Sequence, residues 1–199
     1  MAIYQNKKEK NLFLKVYFDE LGSESPRTWT NIGYFITLSS NYKSPDENET
    51  IRQIIDETQH EAQNSKEHME IIKEKIKGIT GEKVLAIYPI TTYEHSNIVY
   101  KLGEIKGFDY SFNGFYIITD KTAKEYNTKD YKKIIEQELE LYNKWVNGET
   151  LTGIIEKIET CKCCKQNTSE IIDSISNCYD EKEIFDNLEI KINDYKKIS

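Results

Sequence analysis

The sequence predicts an α+β protein built on a mixed or antiparallel sheet. Three observations carry this. Short runs rich in β-branched and aromatic residues recur along the chain. Stretches with helical apolar spacing lie between some of them. Strands and helices do not alternate strictly, which argues against a parallel α/β sheet.

Taken in order, residues 12–18 (LFLKVYF) read as a strand that ends at Asp19, Glu20 and Gly22. Residues 32–38 (IGYFITL) read as a second strand. The turn cluster NYKSPDENET then leads into one long helix over about 50–77, capped by Asn48 or Thr50. Ile51, Ile55, Thr58, Ala62, Met69, Ile72 and Ile76 follow helical spacing, with a weak middle and a break point near Asn64. Gly78 and Gly81 end this helix.

Residues 83–92 (KVLAIYPITT) read as a strand interrupted by Pro89, hence an edge or bulged strand. Residues 97–102 and 113–119 are further strands. A central helix over 129–146 carries Ile134, Ile135, Leu139, Leu141, Tyr142, Trp145 and Val146, and Gly148 stops it. Residues 151–160 and 168–174 resemble a strand pair joined by a cysteine-bearing turn. Asp180 heads a C-terminal helix with Ile184, Leu188, Ile192 and Tyr195 on one face.

The 199 residues suit a single domain over 1–199, from which the 50–77 helix is free to protrude. No run of about 18 apolar residues exists, and MAIYQNKKEK lacks the apolar stretch of a signal peptide. The expectation is a cytoplasmic protein with no membrane contact. Formal net charge is −7. Direct nucleic-acid binding needs a basic face and is disfavoured. An acidic chain suits a partner with a basic groove, although mild negative charge also serves solubility alone.

Candidate chemistry is sparse. Cys161, Cys163, Cys164 and Cys178 include one C-x-x-C arm, but a zinc ribbon needs two. Free thiols in a hairpin turn, a zinc site and redox chemistry all remain open readings, and no metal is assigned. His95, Ser96 and Asp109 invite a triad, yet adjacent extended residues point to opposite sides. The expected role of His95 is a buried, hydrogen-bonded structural one. His60 and His68 lie among Glu57, Glu61, Glu67 and Glu70 without HExxH spacing, so they read as part of a solvated charged face. No glycine-rich phosphate loop exists, and no cofactor is expected.

The stretch SPRTWTNIG (25–33) is irregular and holds Arg27, one of two arginines in the chain. Pro26 fixes the backbone there, and Trp29 is a large apolar side chain. Together with YPITTYEHSN, FDYSFNGFYIITDKTAKEYN, LELYNKWVNGE and EIIDS, it resembles a family of small phage and mobile-element proteins. That family shows SPR-x-W-[DN]-N-[LI]-G, Y-x-H-S-G, D-S-G-x-V-G-[FY]-I-[YF], T-Y-D-x-Y-L-x-G-[DE] and V-[IV]-D-S-C stretches in the same order. The resemblance spans about 24–180. It carries over to Ser25, Pro26, Arg27, Trp29, Asn31, Gly33, Tyr93, His95, Ser96, Asp109, Ser111, Gly114, Tyr142, Gly148, Asp173 and Ser174. Thr30, the SSNY at 39–42, Asn97 and Ile175 depart from it.

Two roles compete for the SPRTWTN loop. In one, Arg27 bridges carboxylates such as Asp109 or Glu94 while Trp29 fills the core beneath. In the other, Arg27 and Trp29 form a contact surface. Asn31, Tyr93, His95, Ser96 and Asp109 are motif residues without an assigned role. The setting that the resemblance implies is host takeover or anti-defence. The expected function is therefore a non-enzymatic inhibitor of a host defence nuclease or Cas effector, of the anti-CRISPR or anti-restriction type. Glu57, Glu61, Glu67, Glu70 and Glu74 would occupy its basic nucleic-acid channel. The alternatives are a small hydrolase or nucleotide-modifying enzyme using His95 and Asp109, and a nucleic-acid-binding accessory protein. The last would gather Lys121, Lys124, Lys129, Lys132 and Lys133 on one face.

Overall fold

The computed structural model describes residues 1–19, 24–39 and 43–199. The turn expected at Glu20 and Gly22, and Ser40, Asn41 and Tyr42 of the SSNY segment, lie outside the described residues. In chain order the strands are β1 (Ala2–Asn6), β2 (Leu12–Phe18), β3 (Tyr34–Thr37), β4 (Val84–Glu94), β5 (Ile98–Leu102), β6 (Tyr110–Thr119), β7 (Leu151–Thr160), β8 (Asn167–Cys178) and β9 (Tyr195–Lys197). The helices are α1 (Glu49–Thr58), α2 (Ser65–Thr80), α3 (Tyr131–Val146) and α4 (Glu181–Asn187). The α+β class holds, and both sheets are antiparallel.

Contacts divide the chain into two compact units, one of residues 1–25 and 144–199, the other of residues 26–143. The first unit holds a five-stranded sheet in the order β8-β7-β2-β1-β9. Ile184 and Phe185 of α4 join Tyr4, Leu14, Val16, Ile155 and Tyr195 in its core. Asp180 caps α4 by accepting from the Glu183 N–H, and the Glu183 carboxylate accepts from the Tyr179 N–H. The C-terminal helix is shorter than its apolar spacing predicts. It ends at Asn187, and Tyr195 sits in β9 opposite Asn6 of β1. Spacing at i, i+4, i+8 and i+11 cannot distinguish one helix from a short helix followed by a strand aimed at the same core.

The second unit holds a four-stranded sheet in the order β3-β6-β4-β5. Alternation along β6 sorts its side chains between two faces. Phe115 and Ile117 meet Ile51, Ile54 and Ile55 of α1 and Ile72 and Ile76 of α2. Tyr116 lies on the opposite face, stacked on Phe35 of β3, whose ring meets Tyr142 of α3 edge-on at 5.4 Å. Helices thus cover both faces. Each fully buried isoleucine contributes about 2 kcal/mol to this arrangement. β4 is an interior strand. Pro89 is tolerated at the bulged register between Pro89 and Thr91, beyond the end of the β5 ladder.

The single long helix expected over 50–77 is two helices. The Thr58 hydroxyl turns back to the Ile54 carbonyl at 2.6 Å, and α1 ends there. Asn64 then caps α2 by accepting from the Glu67 N–H at 3.0 Å, while Glu67 accepts from the Gln63 N–H. The weak apolar middle is the connection between them. His68 is buried and not part of a solvated face, another correction. Its Nε2 lies 2.9 Å from the Thr58 hydroxyl, and its ring meets Phe115 edge-on. Thr58 already spends its proton on Ile54, so the imidazole is the donor in this pair.

Burial pushes the His68 imidazole below its ordinary 6.5, against smaller opposing pulls from the Ile55 carbonyl and Glu61. The unfolded chain therefore takes up this proton before the folded chain does. The stabilising contribution is complete above 6.5 and is lost as pH falls below it. Urea unfolding of the wild type at about pH 7.5 and pH 5.5 should show a fall in stability that His68→Gln removes. An equal fall in both proteins would place its origin elsewhere.

Candidate functional site

The irregular SPRTWTNIG stretch owes its shape to one guanidinium. Pro26–Thr28 form a single 3-10 turn that aims Arg27 inward, where its side chain is only 4 % exposed. Nε and Nη2 donate to the two carboxylate oxygens of Asp46, at 2.9 and 2.6 Å. Nη1 donates to Glu138 of α3 at 2.9 Å, to the Asn31 side-chain carbonyl at 2.9 Å and to the Tyr116 hydroxyl at 3.1 Å. Nη2 also donates to the Gly33 carbonyl at 2.7 Å.

The acceptors are themselves held. Asp46 accepts from the Phe35 N–H, Glu138 accepts from the Ile32 N–H, and the Tyr116 hydroxyl donates to Glu138. Burial works against the Arg27 charge, but the Asp46 pair outweighs it and holds the guanidinium more firmly protonated than usual. Burial, reinforced by Glu138, pushes the Tyr116 phenol well above its ordinary value, so it remains a donor. Two glycines permit the close packing around this cage. A Cβ on Gly33 would stand 2.5 Å from the Ile117 carbonyl oxygen. Gly114 has φ +124, and a Cβ there would strike the Ile36 carbonyl.

Arg27 therefore bridges carboxylates, but Asp46 and Glu138 rather than Asp109 or Glu94. Neither partner is signalled by sequence. Asp46 reads as one more turn residue before α1, and Glu138 as one of many acids on a helix. Trp29 does not fill the core. It is 45 % exposed and borders a hollow of about 210 Å³ with Pro26, Tyr126, Ile134 and Leu141. The Asn31 side-chain N–H donors return to the Pro26 and Trp29 carbonyls and fix the loop that presents the indole.

The Tyr93–Asp109 region forms a second place of interest. The Glu94 N–H donates to the Asp109 carbonyl, and the Tyr93 and Tyr110 rings lie 5.0 Å apart. Asp109 has φ +58 at the turn into β6. It lines an open hollow of about 570 Å³ with Glu94, Ser111, Phe112, Asn113 and Gln59. His95 and Ser96 are exposed and do not line it, which corrects the buried role expected for His95. Among the described residues the hollow thus holds carboxylates, hydroxyls and amides but no imidazole.

The expected acidic helix face is redistributed. Glu57 sits on α1 and accepts from the Gln53 amide, while Glu61 lies in the connection and pairs with Lys75 at 2.6 Å. Glu67, Glu70 and Glu74 remain together on the exposed side of α2, spaced i, i+3 and i+7. The buried His68, Ile72 and Ile76 occupy the opposite side. Glu70 also pairs with Lys73 at 2.6 Å. Two of the expected basic residues are likewise paired, Lys121 with Glu82 and Lys132 with Glu136.

Removing one member of a buried ion cluster leaves uncompensated charge and costs about 3–5 kcal/mol. Arg27→Met should lose that much in denaturant unfolding. Arg27→Lys should recover only part of it, because an ammonium cannot reproduce the two-pronged Asp46 contact. Trp29→Ala should cost about 1 kcal/mol or less, as suits a half-exposed side chain. A Trp29→Ala protein that fails to fold would return the indole to a core role.

Comparison with known proteins finds no matching family model, no similar curated protein and no similar solved structure.

Proposed function

We propose that this protein acts by binding, as a phage-type inhibitor that covers the nucleic-acid channel of a host defence effector of the Cas or restriction class. The observation that carries the reading is the trio of exposed carboxylates on α2, which stand among Lys66, Lys73 and Lys77. Glu67, Glu70 and Glu74 line one exposed helix side across eight residues, about 10 Å of helix. A row of carboxylates on a rigid helix presents regularly spaced negative charge, as a phosphate backbone does to a basic groove. The net charge of −7 favours encounter with such a groove.

Trp29 supplies the second element. Tryptophan is a preferred anchor residue in interfaces, and here it is half exposed beside an apolar-walled hollow. Charge would speed and orient encounter, and the indole would slow release. Arg27, counted with Trp29 as a contact residue by its type, has its guanidinium buried and acts on the surface only by holding the loop.

The test uses purified RNA-guided and restriction effectors, with nucleic-acid loading read by mobility shift. Stoichiometric wild-type protein should block loading of its target effector, more weakly at higher salt. Glu67→Lys, Glu70→Lys and Glu74→Lys combined should weaken binding at least tenfold, about 1.4 kcal/mol, without unfolding the chain. Inhibition that the charge-reversed protein retains at full strength would defeat the reading. So would loading left unaltered across the panel.

A further inference from the structure

The tip of the β7–β8 hairpin has a geometry that neither sheet pairing nor core packing explains. The ladder closes at Thr160↔Asn167. The turn between them is fixed by the Cys161 N–H to the Gln166 carbonyl at 2.9 Å and the Lys165 N–H to the Cys161 carbonyl at 3.0 Å. Lys165 takes φ +61 to complete it. The result brings the sulfurs of Cys161, Cys163 and Cys164 within 4.8 Å of one another. Cys161 and Cys163 stand 2.9 Å apart, Sγ to Sγ.

Cysteine is usually a buried residue, yet Cys163 and Cys164 are exposed and Cys161 is half-buried. These thiols stabilise no core. Cys178 stands apart from the set. It is buried at the far end of β8, about 35 Å of strand away, with Asn187 beside it.

We propose that the 161–166 turn is a binding site for one soft d10 metal ion of the zinc class, held by the thiolates of Cys161, Cys163 and Cys164. Three sulfur ligands leave a fourth tetrahedral position for water or another exogenous donor. Zn–S bonds of about 2.3 Å at tetrahedral angles separate the sulfurs by about 3.8 Å. All three sulfurs lie within 4.8 Å of one another, and the 2.9 Å Cys161–Cys163 approach has to open. Binding displaces the remaining thiol protons to solvent. The three thiolates and a divalent ion carry one net negative charge, which Lys162 and Lys165 in the same turn offset.

The second arm that a zinc ribbon requires is not needed, because one turn supplies three ligands. The site lies outside the acidic face of α2, so the two readings stand or fall separately.

The reduced 199-residue chain should bind one equivalent of Co²⁺, with sulfur-to-cobalt charge-transfer absorption and the visible bands of a tetrahedral thiolate site. Added Zn²⁺ should bleach both. Each of Cys161→Ser, Cys163→Ser and Cys164→Ser should weaken the metal at least a hundredfold, and Cys178→Ser should leave the spectrum unchanged. Amide hydrogen exchange at 162–166 should slow on Zn²⁺ addition. Absence of the charge-transfer band, its persistence in the triple serine variant, or saturation at half an equivalent per chain would each overturn the proposal.

Discussion

One buried guanidinium fixes the geometry of the 26–143 unit. Stripping an ion of water costs several kcal/mol even after relaxation, so a buried arginine survives only where its donors are met. Here Arg27 donates to Asp46, Asn31, Gly33, Tyr116 and Glu138. Those acceptors come from the turn before α1, the loop itself, β6 and α3. Four segments must therefore arrive together, or a charge is left unpaired. The two carboxylates impose the same condition in reverse, since without the guanidinium they would repel each other in a confined space.

This constraint explains features that look unrelated. Gly33 is required because the chain passes within a side chain's width of the Ile117 carbonyl as it enters β3. Gly114 lets β6 approach β3 with a backbone angle that other residues rarely adopt. Tyr116 is kept neutral by burial and is able to donate to Glu138. Asn31 faces both ways, accepting from Arg27 and donating to the carbonyls of Pro26 and Trp29. The loop is thus rigid although it is neither helix nor strand, and Trp29 projects from a fixed frame.

Local rules carried the sequence reading as far as they reach. The β-rich runs at 12–18, 151–160 and 97–102 matched strands because each is long enough to show its composition. AIYQN and YKK did not, since five and three residues with polar members give no alternation to read. The break between α1 and α2 was marked by Asn64, a strong N-cap residue inside an apparently continuous helix. The burial of His68 is not legible because it depends on Phe115 and Thr58, which no helical pattern displays, so the residue reads as part of a solvated face. The arginine cage was illegible for a related reason. Its carboxylates lie 19 and 111 residues from Arg27, among many acids that are merely solvated. Rarity alone set Arg27 apart, and it identified the residue without its partners or the inward direction of its side chain.

The acidic face and the indole answer different physical demands. Exposed charges act across about 8 Å at physiological ionic strength, which is enough to steer an encounter but contributes little once salt competes. Of the three carboxylates, Glu70 already faces Lys73, and Glu67 also holds the start of α2 through Gln63. Their pull on a distant groove is weaker than a count of acids implies. A lasting complex then needs area removed from water, and Trp29 beside Ile134 and Leu141 offers it. In the proposed mode of action, weak charge sets the approach and a rigidly held aromatic sets the lifetime. In that mode the buried guanidinium does not meet the partner. It prepays the ordering of the loop, so that little conformational entropy remains to be lost on binding.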